Sequence, residues 1–307
     1  MNNRDLWEKW AEFHTRKWGC SARFVRWEAP NSPARGESLF FFNRKGHLYL
    51  PPLNPYHPFA FHPTPTDKPY KLNRQWHETA KVIIPDLRKA QCSASFVFPP
   101  EIADIRPFLW SGFKAEVKYT YVVELPYTLD QASTEIRAKI KKATAAGYRT
   151  ALSRKMSEVH PCLQGTESRQ GFSHQLTLQD LELAQDLLGD QAFRAYVCYA
   201  PTGEPVSASV VVALDNRRAF GWVAGSKTEH LNRGVVQQSQ SFALQDLSDA
   251  GFAEFDFAGA NLPTVAYSKI NWGGQVTPYY LVRPPGVKEI FRAGRDWLRF
   301  VRGTLRT

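Results

Sequence analysis

Leu6, Trp10, Phe13 and Lys17 recur at helical spacing in LWEKWAEFHTRKWG, and Gly19 follows as a stop, so the chain is expected to open with a helix. The run SLFFFNRKGHLYLP places two apolar stretches around Asn43-Arg44-Lys45-Gly46 and predicts a hairpin with a four-residue turn. Seven prolines from Pro51 to Pro69, without periodicity, predict a long irregular surface loop. YTYVVELP, residues 119–126, reads as a strand that closes an aromatic-rich α/β unit over residues 1–125.

A second rhythm begins at Thr128. Thr128-x-x-Gln131 has the form of a capping box, and Leu129, Ala132, Ile136, Ile140 and Ala143 mark one apolar helix face up to Gly147. LTLQDLELAQDLLG predicts a helix after Thr177 that Gly189 ends. RAYVCYA, PVSASVVVALD and RAFGWVAGS read as a meander of three strands, followed by an amphipathic helix over residues 234–250. FAEFDFA alternates as a strand, a short helix starts at Asn-x-Pro, and QVTPYYLV supplies a last strand. The unit over residues 126–286 therefore has the order α–β–α–β–β–β–α–β–α–β. Beyond it, residues 287–307 carry Lys288, Arg292, Arg295, Arg299, Arg302 and Arg306 on one helical stripe opposite Ile290, Phe291, Trp297, Leu298, Val301 and Leu305. Such a basic amphipathic helix either contacts an anionic membrane surface or docks on its own protein with the basic face in water.

With 307 residues and 43% hydrophobic residues, the chain has ample material for buried cores. Its net charge of +10 favours an anionic partner, whether nucleic acid, phosphorylated substrate or acidic membrane, or simply serves solubility. Cys20, Cys92, Cys162 and Cys198 lie far apart with no C-x-x-C spacing, which argues against a zinc site and fits reduced thiols. The first residues lack the apolar run of a secretory signal, and no stretch is long and apolar enough for a membrane span. A cytoplasmic location is expected, with the basic tail offering peripheral contact at the inner membrane face.

Several chemistries drop out. There is no H-E-x-x-H and no G-x-S-x-G, and the two histidines of HPFAFH suit loop packing. GWVAGSKT, residues 221–228, fails as a phosphate loop because only three residues separate its glycines and Ser226 intervenes before Lys227. No metal and no tightly bound cofactor are expected.

The order of elements in the second unit resembles the GNAT acetyltransferase fold. EIRAKIKKATAAGYR at 135–149, FDFAGANLPTVAYSKINWGGQVTPYY at 255–280 and PFLWSGFKAEVKYTYVVELP at 107–126 resemble the FemABX family, built from two GNAT-like lobes, and the related BioF2-like acetyltransferase domains. In the first hundred residues LYLPPLNPY is the best matching fragment. The resemblance implies an α/β fold with α+β mixed sheets, arranged as tandem GNAT-like acyltransferase lobes. It also implies movement of an acyl or aminoacyl group from a large anionic donor, aminoacyl-tRNA or acyl-CoA, to an amine acceptor such as a cell-wall precursor; the alternatives are an ordinary acyl-CoA-dependent N-acyltransferase and a non-catalytic GNAT-like module that binds an anionic polymer or membrane. GNAT enzymes that use acyl-CoA hold the pyrophosphate with R/Q-x-x-G-x-G/A before a helix. Here Asn232-Arg233-Gly234-Val235-Val236 puts Val236 at the second glycine position, so that cradle is degraded. The coiled-coil arm of several tRNA-dependent family members is not evident between 140 and 180.

In such a site an ammonium beside the carbonyl stabilises the developing oxyanion, and Lys269 matches the family's basic residue there. The alternative is a helix-end lysine answering the helix dipole. Asp256 is either a polar site group or a turn residue, and Asn261 is placed to cap the short helix begun by Pro263. Gly273 and Gly274 would let backbone approach a substrate. Ser226, Arg233, Gly234, Arg137 and Lys141 are the remaining donor-binding candidates, the last two being otherwise a solvated face. Tyr56, Asp104, Arg106, Trp110 and Tyr280 are the acceptor-binding candidates, each with a purely structural alternative.

Overall fold

The computed structural model describes residues 3–30, 32–90 and 95–285. The basic helix expected over residues 287–307 lies outside the described residues, as does Cys92.

Helix α1 (Asn3–Trp18) buries Leu6, Trp7, Trp10 and Phe13, and ends where Gly19, at φ 63°, returns its N–H to the Thr15 carbonyl. Strands β1 (Ser21–Glu28), β2 (Arg35–Phe42) and β3 (Phe59–His62) form an antiparallel three-stranded sheet in the order β1-β2-β3. The hairpin after β2 is present, although its returning arm pairs only through a bridge from Phe42 to Leu48. The proline run is not wholly irregular, because Phe59–His62 completes this sheet, with Phe59 fixed opposite Ser38. Helix α2 (Pro69–Lys89) packs Trp76, Ala80, Ile83, Ile84 and Leu87 against the sheet, and β4 (Phe96–Val97) and α3 (Arg106–Trp110) follow.

The remaining strands are β5 (Lys114–Glu124), β6 (Arg149–Leu152), β7 (Phe193–Tyr199), β8 (Pro205–Ala213), β9 (Arg218–Ser226), β10 (Glu254–Asp256) and β11 (Gln275–Arg283). With β4 they build one eight-stranded sheet, in the order β4-β11-β5-β10-β9-β8-β7-β6. Thus β5, the last strand of the first sequence unit, lies between β10 and β11. Among the described residues only β9 and β10 run parallel, which makes the sheet mixed. Helices α4 (Thr134–Ala145) and α7 (Val235–Asp249) pack against each other on one face. On the other face α5 (Met156–Gln170) and α6 (Leu178–Ala192) join α1 in one apolar core around Trp10, Phe13, Phe193 and Trp222. Helix α8 (Pro263–Ile270) links β10 to β11.

The capping box expected at Thr128 does not form. Residues Leu129–Gln131 make a 3-10 turn without a side-chain cap, Ala132 is extended, and Ser133 caps α4 by accepting from Ile136 N at 3.3 Å. The cause is tertiary: Ser133 N donates to the Asn271 carbonyl at 2.8 Å, which fixes the entry into α4 at the end of α8. A capping box forms instead at Thr177, where the sequence predicts only a helix start, with Asp180 as its partner, and Gly189 breaks the helix at φ 69°.

Candidate functional site

Strands β9 and β10 pair only from Arg218 to Phe220 opposite Glu254 to Asp256. Beyond this point β9 continues to Ser226 against β8, so the two parallel strands part at their carboxyl ends. That is where open α/β sheets hold ligands. At the parting, Val210 pairs with Val223 but Val211 with Gly221, which makes Trp222 the extra residue of a β-bulge. Trp222 is 7% exposed, packs edge-on against Trp10 and Phe13, and its indole N–H has no hydrogen-bond partner among the described residues.

Asp256 ends β10, fully buried. Its Oδ1 accepts from Thr120 Oγ1 at 2.6 Å and from Ala258 N at 2.7 Å, and its Oδ2 accepts from Tyr56 at 2.8 Å. Burial raises the Asp256 carboxyl above its ordinary range, while the donors from Thr120, Ala258 and Tyr56 and the charge of Arg218 oppose it. Thr120 Oγ1 in turn accepts from Gly259 N at 3.1 Å. The backbone after Asp256 is therefore curled, with Ala258 at φ 54°, a conformation that a non-glycine residue adopts only when its surroundings impose it.

Lys269 closes this curl from α8. Its Nζ donates to the carbonyls of Phe257 at 2.6 Å, Ala258 at 3.0 Å and Gly259 at 2.6 Å. An ammonium has three N–H groups, so all of them are engaged. Burial brings its pKa down to about 8, against the pull of Asp256. Here the lysine shapes the strand tip and keeps no proton for an incoming oxyanion. Asn261 does not cap α8, whose N-cap is Leu262. Instead its Oδ1 accepts from Tyr119 N at 2.9 Å and its Nδ2 donates to Tyr119 O at 3.3 Å, which docks the loop on β5 as a strand would. Pro263 does occupy the first turn.

Of the acceptor candidates, Tyr56 reaches Asp256 and also meets the Tyr279 ring edge-on at 4.9 Å. Tyr280 has the opposite strand parity and packs against the aromatic core between α2 and the small sheet, so Tyr279 is the site tyrosine of this pair. Asp104, Arg106 and Trp110 form a separate cluster with His77: Arg106 Nε donates to Asp104 Oδ1 at 2.8 Å, and His77 stands 3.0 Å from Asp104 Oδ2 and edge-on to Trp110. The Arg106 guanidinium holds the Asp104 carboxyl well below the usual range.

The donor candidates do not converge on one cradle. Ser226 is buried, 2.8 Å from Ser207 Oγ, with its N–H bonded to Thr166. Gly234, at φ 83°, lies where a Cβ would come within 2.2 Å of the Lys139 carbonyl, so a helix of the same chain fills the space. A Cβ on Gly273 would meet the Gln131 carbonyl at 2.3 Å, and one on Gly274 would lie 3.2 Å from the Val122 carbonyl. Their close approach is to the chain itself. Arg137 pairs with Asp130 at 3.5 Å on the surface, and Arg233 and Lys141 are exposed. Sequence reading passed over Thr120, Trp222, Tyr279, Glu101 and Arg218, although Thr120 is legible as the polar residue within an aromatic and apolar strand. Among the described residues, no group of three or more His, Cys, Asp or Glu is placed to hold a metal, and no helix is long and apolar enough to cross a membrane.

The fold has counterparts among solved structures. FemX aligns over 91% of this chain and 96% of its own, with a TM-score of 0.65 and 12% identity. The chain has the FemABX-like GNAT fold. A C-terminal domain ascribed to a lysylphosphatidylglycerol synthetase of Agrobacterium fabrum aligns over 95% of this chain and 96% of its own, with a TM-score of 0.57 and 12% identity. The L-PGS of Bacillus licheniformis covers 92% and 93% respectively, with a TM-score of 0.52 and 13% identity. No family model and no curated protein matches the sequence.

Proposed function

We propose that this protein is an acyltransferase that moves an acyl or aminoacyl group from an activated, anionic donor to an amine, with aminoacyl-tRNA as the favoured donor. The observation that carries this reading is the parting of β9 and β10 beside a buried carboxyl–phenol pair, Asp256 and Tyr56, supplied by distant parts of the chain. The reaction forms a bond from amine nitrogen to acyl carbon, breaks the bond to the donor oxygen, and carries the amine proton to that oxygen. Tyr56 and Asp256 are the relay for the proton, since a buried carboxyl with a raised pKa accepts one readily. Trp222 bulges from β9 at the parting with a buried indole N–H that has no partner among the described residues, and it is the candidate donor to the carbonyl oxygen once substrate reaches it, with Lys269 in a positioning role. Acyl-CoA is the less favoured donor, because Val236 and the Lys139 carbonyl crowd the turn at the start of α7. Cell-wall precursors are the acceptors to try, in keeping with the likeness to FemX.

The test offers the purified protein radiolabelled aminoacyl-tRNA or labelled acetyl-CoA together with a pool of amine-bearing cell-wall precursors, and reads label in amide-linked product. Transfer from aminoacyl-tRNA that falls in Trp222→Phe and Tyr56→Phe supports the reading. Transfer from acetyl-CoA alone replaces the donor, and no transfer from either defeats it.

A further inference from the structure

Strand β5 has a neighbour on both sides for only part of its length. Strand β11 runs beside it from Lys114 to Val122, whereas β10 meets it only from Val122 to Glu124. Past β10 the same side is closed by the loop: Phe257 N donates to the Tyr121 carbonyl, Ala260 N donates to the Tyr119 carbonyl, and Asn261 Oδ1 accepts from Tyr119 N. Tyr119 and Tyr121 thus turn their backbone groups towards this side, and the alternation of an antiparallel strand turns those of Ala115 and Val117 the same way. Among the described residues no strand meets them there, and Lys114, Ala115, Glu116 and Val117 are all exposed. Such a row of unpaired donors and acceptors is a template for a further strand.

Apolar side chains flank this edge. Leu109 and Trp110 on α3, which packs on β5, and Val117 and Tyr119 on β5 itself are 44–68% exposed. Scattered exposed apolar residues need no explanation, but four so close in the chain, beside an open edge, mark an interaction surface. The charges select the partner. Lys114, Glu116 and Lys118 share one face of β5. An edge guarded against pairing carries charge of one sign, commonly lysine, and here the sign alternates. Glu116 stands 3.6 Å from Lys118 in an exposed pair, which is worth little, and Lys114 enters no ion pair among the described residues. A second β5 laid antiparallel on the first has few registers. Centred on Glu116, it sets Glu116 against Glu116 and Lys114 against Lys118, both like-charged. Centred on Val117, it drives Ala115 onto Tyr119, whose backbone groups Asn261 already holds. Centred on Ala115, it sets Lys114 of each copy against Glu116 of the other and leaves Tyr119 to Asn261. Phe113, just beyond the exposed end of α3, then lies opposite Val117 of the other copy, which brings the apolar residues together.

We propose that the protein forms a symmetric dimer in which the β5 edges of two copies pair antiparallel about Ala115, joining their eight-stranded sheets into one. The contact uses the same patch on both copies, so it closes at two and builds no fibre. It also sets the second copy beside Asn261, the residue that anchors the loop of the site on β5.

Sedimentation velocity of the full chain over a range of concentrations tests this. A monomer–dimer equilibrium is expected, weakened by salt because the cross-strand charges are exposed. Lys114→Glu and Glu116→Lys each turn two attractive pairs into two repulsive ones, and each should weaken association about tenfold or more. The double variant, with the two signs exchanged, should restore it, which a general disturbance of the strand would not do. Ala115→Pro removes the N–H at the two-fold axis, at a position where an edge strand tolerates proline, and should leave only monomer. In Ala115→Cys the paired Cα atoms would lie about 5.5 Å apart, so mild oxidation should link the dimer beyond any linkage in wild type, and Lys118→Cys should not. A chain that stays monomeric at every concentration overturns the proposal. So does a dimer that Lys114→Glu and Ala115→Pro leave unchanged, that the double variant fails to restore, or that Ala115→Cys does not link.

Discussion

Tyr56 donates its phenolic hydrogen to Asp256 at 2.8 Å, joining the loop before β3 to the tip of β10. The phenol is held well above its ordinary pKa by burial and by this carboxylate. Removing the hydroxyl in Tyr56→Phe leaves the ring packed on Tyr279 but takes one donor from a fully buried carboxyl. The expected cost is about 2 kcal/mol in urea unfolding. Transfer is expected to fall roughly a hundredfold, as for loss of a proton-relay group. A variant with full transfer activity would remove Tyr56 from the relay.

Lys269 makes a pH-dependent contribution whose sign follows from its environment. Its pKa in the fold is about 8, against 10.5 for an unperturbed lysine. Between these values the unfolded chain binds more protons than the folded one, so the stability contributed by this group rises with pH across that window. Wild type should therefore gain on Lys269→Met as pH goes from about 8 to about 10.5. Denaturant titrations of both proteins at several pH values measure the difference. A gap that is flat or that narrows with pH contradicts the burial of this ammonium. Hydrogen exchange adds a local readout: with three carbonyls released, the amides of Ala258 and Gly259 should exchange faster in the variant.

Gly234 separates two explanations for a glycine at the start of α7. A phosphate cradle needs glycine for close approach of a ligand, whereas here the Lys139 carbonyl occupies that space and φ is 83°. Gly234→Ala should therefore destabilise the free protein by roughly 2–4 kcal/mol, with no donor present. Thermal unfolding checks it. An unaffected melting temperature, coupled with loss of donor binding, would return the glycine to a phosphate role.

The meander, α6 and α7 follow from periodicity and punctuation because their local preferences agree with their packing. Helix α5 does not, since it carries Pro161 and Gly165, both helix-breaking signals. Gly165 is there because a Cβ would lie 3.0 Å from the Ser226 carbonyl, and on β9 a Cβ on Gly225 would lie 2.4 Å from the Cys162 carbonyl. These glycines record a helix pressed on a strand, which no local pattern reveals. Helix α2 carries a helical stripe but starts at the end of the proline run and contains Pro85. At the site, the residue types at Asp256, Asn261 and Lys269 were conspicuous, and their partners were not. That Lys269 spends its protons on carbonyls, and that Tyr279 rather than Tyr280 faces the site, depend on register and on the curl after β10.

Asn261 shows how that curl is held in place. Its carboxamide makes both backbone contacts with Tyr119 and donates to the Tyr279 hydroxyl at 3.2 Å, while Ala260 N adds a bond to the Tyr119 carbonyl at 2.7 Å. Asn261→Ala removes the side-chain contacts and leaves the Ala260 bond, so the loop should loosen without the sheet coming apart. The expected loss is about 1 kcal/mol in global stability, because Asn261 is exposed and water replaces part of what is lost. The effect on transfer should be larger than this, since Asp256, Ala258 and Lys269 share the loop and their geometry depends on its anchor. The measurement compares kcat with melting temperature in Asn261→Ala and in Asn261→Asp, which keeps the acceptor for Tyr119 N. Partial recovery of kcat in the aspartate variant is expected, and equal losses in both would place the effect outside the Tyr119 contact.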